Sequence, residues 1–198
     1  MKRLLLPLLA ALALPTAAIE QPLLFERKSN ITTATEILAT TEMALVKSAA
    51  FYYNRGIDKY DSGDYQGAIS DFNRVINQYP NHPKINEAYY NRGLAKRNLG
   101  DNYGAIADYS KAIEINPRYS GAYNNRGVAK TALEDYSGAI ADYTKAIEIN
   151  PRYSGAYYNR GNGKYDAGDY YGAIADYNKA IEINPRYGDA YFNRGLAK

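Results

Sequence analysis

A unit of 34 residues is repeated along the second half of this chain almost without change. Residues 120–153 read SGAYNNRGVAKTALEDYSGAIADYTKAIEINPRY, and residues 154–187 read SGAYYNRGNGKYDAGDYYGAIADYNKAIEINPRY. An earlier copy lies at residues 86–119, and a more divergent one lies at residues 49–82. Because one copy of this length buries too little apolar surface alone, such copies stack on their neighbours. The repetition therefore predicts an elongated array and not one globular core.

Each copy carries the signals for two helices. The first helix ends near position 15 of the copy, where three copies have glycine and the third copy has Glu134. An aspartate follows at position 16 and can cap the free amides of the second helix. The second helix has apolar residues at i, i+1, i+4, i+7 and i+8, which form one broad apolar face. If Glu134 adopts the left-handed conformation, it costs about 1 kcal/mol relative to glycine.

A set of small, aromatic and proline residues recurs with this period. Its members are an aromatic residue at positions 4 and 24, glycine at 8, alanine at 20 and 27, and proline at 32. In the third copy they are Tyr123, Gly127, Ala139, Tyr143, Ala146 and Pro151. The pattern resembles the tetratricopeptide repeat. The resemblance implies an all-α fold, a right-handed α-solenoid of antiparallel helix pairs, with about four full repeats and a partial fifth.

The copies also predict the organisation of the chain. Repeats are expected at residues 49–82, 86–119, 120–153 and 154–187, with the first helix of a fifth at residues 188–198. Three extra residues around His82 separate the first two copies and predict a longer loop within a continuous stack.

Two segments lie between residue 18 and the first repeat. Thr33-Ala34-Thr35-Glu36 fits a capping box, which predicts a leading helix over residues 34–48 that covers the first repeat. Residues 19–33 have no helical or strand period and are interpreted as a linker.

The N-terminus resembles a secretory signal peptide over residues 1–18. A basic start precedes about a dozen mostly apolar residues, and Thr16-Ala17-Ala18 has the small residues that a signal peptidase requires. A membrane anchor is the alternative, but a span needs about 20 apolar residues, and Glu20 follows too soon. We expect a secreted or periplasmic protein that contacts a membrane only if the leader is uncleaved.

Composition excludes several classes of function. Without Lys2 and Arg3 of the leader, basic residues exceed acidic ones by only one, whereas nucleic-acid-binding domains have a strong basic excess. The chain has no cysteine, and His82 is its only histidine, so disulfides, histidine triads and multi-histidine metal sites are excluded. With no paired nucleophile and base and no phosphate-binding glycine loop, we expect no enzymatic activity, cofactor or metal.

A candidate binding surface follows from the resemblance. Ligands of tetratricopeptide-repeat proteins lie in a concave groove lined by positions 2, 5, 6, 9, 12 and 13 of the first helices. Position 6 is asparagine in every copy, at Asn54, Asn91, Asn125, Asn159 and Asn193, and position 5 offers tyrosine at Tyr53, Tyr90 and Tyr158. A ladder of amides can grip the backbone of an extended peptide. Alternatively, each amide bonds to a neighbouring helix or was copied by duplication, and the tyrosines serve packing.

A second ladder is cationic. It comprises Arg55, Arg92, Arg126, Arg160 and Arg194 at position 7 and Lys59, Lys96, Lys130, Lys164 and Lys198 at position 11. These residues either pair with one aspartate per repeat, at Asp71, Asp108, Asp142 and Asp176, or form a stripe for an anionic partner, chiefly Arg92, Arg126, Arg160, Lys96, Lys130 and Lys164. The carboxylate clamp of some relatives needs lysine or arginine at positions 5 and 9, and neither residue occurs there.

These observations predict an exported, non-enzymatic scaffold that binds an extended peptide or a partner protein in its groove. The alternative is a structural or self-assembling module, because residues 188–198 start a first helix with no second helix to cover it. On the first hypothesis, replacing Asn125 and Asn159 by alanine is expected to weaken binding without lowering the melting temperature.

Overall fold

The computed structural model describes residues 36, 37, 39–41, 43 and 48–198. The chain divides into two compact units, Met1–Ala44 and Leu45–Lys198. The predicted signal peptide and linker lie outside the described residues, so both stay predictions.

The first unit is described at Glu36, Ile37, Met43 and the segment 39–41, all of which are helical. Thr40 Oγ1 donates to the carbonyl oxygen of Glu36 at 2.9 Å, and Thr41 Oγ1 donates to that of Ile37 at 2.7 Å. Such bonds to the preceding turn are typical of threonine within a helix. The other residues predicted for the leading helix before Ser48 lie outside the described residues.

The second unit is a series of helices, each of which packs on the next along the chain. They are α1 (48–61), α2 (Tyr65–Gln78), α3 (Ile85–Asn98), α4 (Asn102–Ile115), α5 (Ser120–Thr131), α6 (Tyr136–Ile149), α7 (Ser154–Asp166), α8 (Tyr170–Ile183) and α9 (Gly188–Leu196). Odd-numbered helices are the first helices of the copies, and even-numbered helices are the second ones. The predicted all-α solenoid of helix pairs is confirmed.

The turn inside each pair has the predicted conformation. Gly63, Gly100 and Gly168 have φ of 83° to 84°, and Glu134 takes their place with φ of 62°. A left-handed residue closes a helix at the position after its last turn. The following aspartate then caps the second helix, as Asp135 does by accepting from the Gly138 amide at 3.0 Å. Sequence therefore located the turns correctly, including the strained Glu134.

The connection between α2 and α3 is the predicted longer loop. It spans residues 79–84, whereas the residues 116–119 suffice between α4 and α5. His82 organises this loop, since its Nδ1 accepts from the Lys84 amide at 3.2 Å and its carbonyl oxygen accepts from the Ile85 amide at 2.9 Å. Ala88 of α3 still packs in the same core cluster as Phe72 of α2, so the stack continues across the loop.

The core of each repeat is an aromatic ring at position 24 seated on the glycine at position 8. A Cβ added to Gly127 would lie 2.6 Å from Cε1 of Tyr143, which is only 2% exposed. The glycine thus makes room for the ring of the second helix. Tyr109 also packs against Ala129 of the next repeat, so the ring links two copies.

The fold leaves the terminal copy with one face uncovered. Ala190 of α9 is buried against the stack, but Phe192 is 67% exposed and Leu196 is 58% exposed. In the part of the chain that the structure describes, we find no helix with the length and apolarity needed to cross a bilayer.

Candidate functional site

Each full repeat holds an Arg–Lys–Asp cluster between its two helices. In the third repeat, Arg126 donates from Nε and Nη2 to Asp142 Oδ2 and Oδ1 at 2.9 and 2.6 Å. Lys130 Nζ lies 2.8 Å from Oδ2 of the same carboxylate. The cluster recurs as Arg55, Lys59 and Asp71; Arg92, Lys96 and Asp108; and Arg160, Lys164 and Asp176. The aspartates are buried, so every one of them has two cationic neighbours in a water-poor interface.

The arginine of this cluster also contacts the preceding repeat. Arg126 Nη1 donates to Ser110 Oγ at 3.0 Å, and its guanidinium carbon lies 5.4 Å from the centre of the Tyr123 ring. Arg92, Arg160 and Arg194 bond in the same way to Asn73, Thr144 and Asn178. Because the planar guanidinium has donors on both edges, it can join the two helices of one repeat and the second helix of the previous one.

These contacts show which groups the cationic ladder pairs with inside the stack. The arginine and lysine of each full repeat pair internally, which was one of the two alternatives drawn from sequence. The bond to Arg55 lowers the pKa of Asp71, as expected for a carboxylate that stays ionised beside its partner. Binding of an anionic partner by Arg92, Lys96 and their equivalents stays a prediction, and it would require these pairs to open.

The asparagines at position 6 lie on the face that we call the first-helix groove. This groove is the surface of α1, α3, α5, α7 and α9 that carries positions 5, 6, 9 and 12. Four of the five amide nitrogens donate to position 5 of the preceding copy: Asn91 to Tyr53 at 3.1 Å, Asn125 to Tyr90 at 2.7 Å, Asn159 to Asn124 at 3.0 Å and Asn193 to Tyr158 at 3.0 Å. The asparagines therefore form a row, and the side chains of these four join neighbouring repeats.

The amides differ in the hydrogen-bonding capacity that they retain. Asn125 also accepts from Arg97 Nη1 at 3.1 Å, and Asn193 gives a second bond to Asn162 at 2.9 Å. Asn91 and Asn159 make one hydrogen bond each among the described residues, so each keeps one N–H and one carbonyl oxygen. Asn54 is exposed at the start of the row. Asn54, Asn91 and Asn159 are thus the members best able to bind a ligand.

The tyrosines at position 5 are held by packing. Tyr53 is only 7% exposed and donates to Glu87 Oε2 at 2.7 Å. The Tyr90 ring lies 5.8 Å from that of Tyr109, and the Tyr158 ring lies 6.0 Å from that of Tyr177. Their hydroxyls accept from the asparagine row, so they support the groove. Direct contact of Tyr53, Tyr90 or Tyr158 with a ligand stays a prediction.

A cavity of about 360 Å³ opens in the groove near α9. It is lined by Thr131, Asn162, Tyr165, Asp166, Tyr177, Asn193 and Leu196. On its wall, Asn162 Oδ1 accepts from the Tyr177 hydroxyl at 2.8 Å and from Asn193 Nδ2 at 2.9 Å. The Asp166 carboxylate is exposed and makes no hydrogen bond or ion pair with the other described residues. The cavity therefore combines a tyrosine wall with one available carboxylate.

Sequence reasoning did not single out Thr131, Tyr165 or Asp166. They occupy positions 12 and 13, which the family resemblance includes in the groove, but these positions vary between copies and showed no ladder. The positions of these residues could have indicated the cavity, but no residue type recurs at positions 12 and 13 to draw attention to them. No group of three or more acidic or histidine side chains within the described ranges is arranged to hold a metal ion.

Family models locate the repeats along the chain. Models described as tetratricopeptide repeat match residues 49–82, 87–119 and 120–153, and one described as TPR repeat matches residues 161–198. The chain belongs to the tetratricopeptide-repeat family. Members of this family generally mediate protein–protein interaction and are typically scaffolds without catalytic activity. A search of curated protein sequences returned no match.

Solved tetratricopeptide-repeat structures have the same fold. One crystal structure of MamA is 30% identical, with a TM-score of 0.66 over 72% of this chain and 81% of that one. A repeat protein from Parabacteroides merdae is 23% identical, with a TM-score of 0.69 over 76% of this chain and 59% of that one. The first repeat domain of Spaghetti, solved with an HSP90 peptide of sequence SRMEEVD, is 23% identical, with a TM-score of 0.56 over 57% of this chain and 89% of that one.

Proposed function

We propose that the chain is an exported, non-enzymatic scaffold that holds an extended segment of a partner protein in the first-helix groove. The observation that carries this proposal is the row of asparagines, two of which keep a free donor and a free acceptor. A peptide backbone in extended form offers an N–H and a carbonyl oxygen at regular intervals. Asn91 and Asn159 can each pair with both groups.

Recognition through the backbone explains why the amide repeats while its neighbours vary. Position 5 is tyrosine, asparagine or phenylalanine, and position 9 is isoleucine, leucine, valine or asparagine. A constant amide grips any sequence, and the variable positions then select side chains along the bound segment. This division of roles supports binding of a defined peptide class rather than of any unfolded chain.

The cavity beside α9 supplies one element of selectivity. Asp166 at its rim favours a ligand side chain with a positive charge, and the Tyr165 and Tyr177 walls favour an apolar stem. A lysine or arginine has both parts, since its methylene stem covers apolar surface while its head stays charged. We therefore expect a basic residue in the part of the segment that reaches this cavity.

Because the groove lacks a carboxylate clamp, we expect it not to bind ligands through a C-terminal carboxylate. Positions 5 and 9 have no lysine or arginine to bind a C-terminal carboxylate. The HSP90 peptide SRMEEVD, which the Spaghetti domain binds, is acidic and is expected not to bind here.

A displayed library of random peptides tests the groove directly. Peptides enriched on the wild-type chain are synthesised, and calorimetry measures their affinities for the wild-type chain and for the variants described below. The double variant Asn91→Ala, Asn159→Ala is expected to bind about tenfold more weakly, because each lost hydrogen bond contributes about 0.5–1.5 kcal/mol. Asp166→Asn is expected to weaken only those peptides that carry a basic residue.

The matched control is Lys145→Ala, which removes an exposed ion pair with Glu148 on the second helix of the third repeat. It is expected to leave peptide affinity unchanged. Failure of the library to enrich any peptide, or equal affinity for the wild-type chain and the double asparagine variant, contradicts the groove proposal. Circular dichroism of each variant verifies that it is folded at the temperature of the measurement.

Export rests on the leader-like sequence at residues 1–18. Expression of the full sequence in a bacterial host is expected to release a chain whose N-terminal residue is Ile19, as determined by mass spectrometry of the periplasmic fraction. A chain found only with Met1 at its N-terminus would remove the export part of the proposal and leave the groove untouched.

Self-association through α9 is the second candidate function. The observation that favours it is the exposure of Tyr191, Phe192 and Leu196 on one face of this helix. It predicts a mass that rises with protein concentration in light scattering, and a monomer at every concentration contradicts it.

A further inference from the structure

We infer that the first-helix groove has a second charged subsite, at Arg97 of α3, which binds an acidic side chain of the bound segment. The subsite belongs to the second repeat, whereas the cavity with Asp166 lies near α9. The inference rests on the proposed peptide binding and extends it. A segment that reaches both subsites carries one acidic and one basic residue.

Arg97 is the single cation among the charged residues at groove positions 2, 5, 6, 9, 12 and 13. The others are acidic: Asp61, Glu87, Asp166 and Asp189. An acidic group of the ligand is therefore favoured at Arg97 and opposed at these other points of the groove. This distribution agrees with the expectation that a strongly acidic peptide does not bind.

Arg97 also differs from the arginines of the Arg–Lys–Asp clusters, because it has no carboxylate partner among the described residues. Its Nη1 donates to Asn125 Oδ1 at 3.1 Å. Its Nε and Nη2 make no hydrogen bond within the part of the chain that the structure describes. These two donors form the edge of a guanidinium that binds both oxygens of one carboxylate.

A buried hydroxyl without a partner lies in the same repeat. Tyr109 is fully buried, and its hydroxyl is the one buried side-chain polar atom among the described residues that makes no hydrogen bond. The equivalent hydroxyls point to the groove face. Tyr143 Oη lies 3.1 Å from Oγ1 of Thr131 at position 12, and Tyr177 donates to Asn162 at position 9 at 2.8 Å. By this equivalence, the Tyr109 hydroxyl points to positions 9 and 12 of the second repeat.

The residues at these two positions explain why the hydroxyl has no partner. Position 9 is Leu94, which has no polar group, and position 12 is Arg97, whose guanidinium donates to Asn125 instead. Burial raises the pKa of Tyr109, and the charge of Arg97 opposes that increase, as expected for a cation near this hydroxyl. An oxyanion bound to Arg97 is thus an acceptor within reach of the Tyr109 hydroxyl.

A carboxylate fits these groups. Its oxygens can accept from Nε and Nη2 of Arg97 and from the Tyr109 hydroxyl. One guanidinium balances the single charge of a carboxylate, whereas a phosphate has a charge of about −1.5 to −2 at pH 7. Because the hydroxyl is covered in the unbound chain, Arg97 makes the first contact and then turns away from Asn125 to bring the carboxylate to Tyr109. This movement frees the Asn125 carbonyl oxygen for an N–H of the same segment.

Peptides with an amidated C-terminus test the subsite, because only side chains then supply carboxylates. Peptides enriched from the displayed library on the wild-type chain are expected to carry an aspartate or glutamate as well as a basic residue. Calorimetry compares each peptide with a counterpart that has asparagine or glutamine in place of the acid. This change is expected to weaken binding to the wild-type chain by about tenfold, because hydrogen bonds to charged groups are the stronger ones.

Variants of the chain locate the bound acid. Arg97→Gln is expected to bind the acidic peptide about tenfold more weakly and to bind its neutral counterpart as the wild-type chain does. Tyr109→Phe is expected to bind the acidic peptide about threefold more weakly without a lower melting temperature, since it removes a hydroxyl that has no partner. Phe72 fills the equivalent place in the first repeat. The matched control is Arg118→Gln in the exposed loop between α4 and α5, which is expected to change neither affinity.

Three results overturn the inference. They are enriched peptides without an acidic residue, equal affinities of the acidic and neutral peptides for the wild-type chain, and the same dependence on the acid in Arg97→Gln as in the wild-type chain. An unchanged affinity of Tyr109→Phe overturns the part that concerns the hydroxyl. In each case, weaker binding by Asn91→Ala, Asn159→Ala leaves the groove proposal in place, whereas a library that enriches no peptide contradicts both.

Discussion

The third repeat and the terminal copy carry nearly the same first helix in different surroundings. In the third repeat, Gly127 faces a buried ring and Arg126 binds a buried aspartate. In the terminal copy, Gly195 faces open space, and Arg194 donates to Asn178 of the preceding repeat without a carboxylate partner among the described residues. The comparison teaches that positions 7, 8 and 11 serve the contact between the two helices of a repeat. A property that persists at the terminal copy, such as the bond of Asn193 to Tyr158, belongs instead to the contact between repeats.

Removing the acid of the third repeat is expected to have the largest effect. Asp142→Ala leaves Arg126 and Lys130 unpaired in a mostly buried interface, which costs about 3–5 kcal/mol of unfolding free energy. Urea unfolding followed by circular dichroism measures the change. Glu148→Ala, which breaks an exposed ion pair with Lys145 on the same helix, is the control and is expected to change nothing measurable. A small effect of Asp142→Ala would mean that the cluster is not the structural device described above.

Alkaline pH is expected to weaken the same repeat. Burial raises the pKa of Tyr143 to about 12, against 10.0 for a free tyrosine. The folded chain thus retains this proton after the unfolded chain has lost it, so stability is full below pH 10 and decreases up to about pH 12. The expected loss is about 2–3 kcal/mol.

Urea unfolding across this pH range, with tyrosinate absorbance as the second readout, checks the alkaline loss. Tyr143→Phe is the matched variant, since Phe72 fills the equivalent place in the first repeat. It is expected to lose less stability between pH 10 and 12 than the wild-type chain does. Identical pH profiles for the two proteins would show that Tyr143 is not responsible.

Replacing the position-8 glycine by alanine is expected to have opposite effects on stability in the third repeat and in the terminal copy. Gly127→Ala places a Cβ 2.6 Å from Tyr143 and is expected to destabilise the chain by about 1–2 kcal/mol, because the ring must shift. Gly195→Ala meets nothing and is expected to stabilise α9 by about 0.5 kcal/mol through helix propensity. Thermal unfolding of the two variants measures the contrast, and equal shifts of the same sign would break the comparison.

A gain of stability is expected from a substitution at the turn of the third repeat. Glu134→Gly relieves a non-glycine residue with φ of 62° and is expected to add about 1 kcal/mol of stability. The reverse substitution, Gly168→Ala in the fourth repeat, is expected to remove a similar amount, about 1 kcal/mol. Chemical unfolding of both variants checks the pair, and a loss of stability in Glu134→Gly would contradict the backbone account.

Local signals in the sequence were enough for the helices and turns. Asp135 and Glu134 act on the backbone within a few residues of themselves, so their roles do not depend on how the repeats stack. The pairing of the cationic ladder could be predicted only in part. The repeat period matched each arginine to an aspartate, but it did not show the direction in which the guanidinium group points. Only the structure shows that Arg126 forms hydrogen bonds to Asp142 and to Ser110 at the same time.

The groove was harder to read because its contacts cross between repeats. Position 6 was recognised from its constancy, but the bond from Asn125 to Tyr90 depends on the rotation from one repeat to the next. That rotation is set by the packing of whole helices and not by any short motif. The structure also changes one expectation, because Asn125→Ala with Asn159→Ala removes contacts between repeats and is now expected to lower the melting temperature.

The most direct test of the account is the location of the bound segment. A photoreactive phenylalanine analogue is placed at Tyr165, which lines the groove cavity, or at Tyr171, which is 90% exposed and does not line it. Each protein is irradiated with a peptide enriched from the displayed library, and adducts are mapped by mass spectrometry. The account predicts adducts from position 165 and none from position 171. Adducts from position 171 alone would place the ligand outside the groove and contradict it.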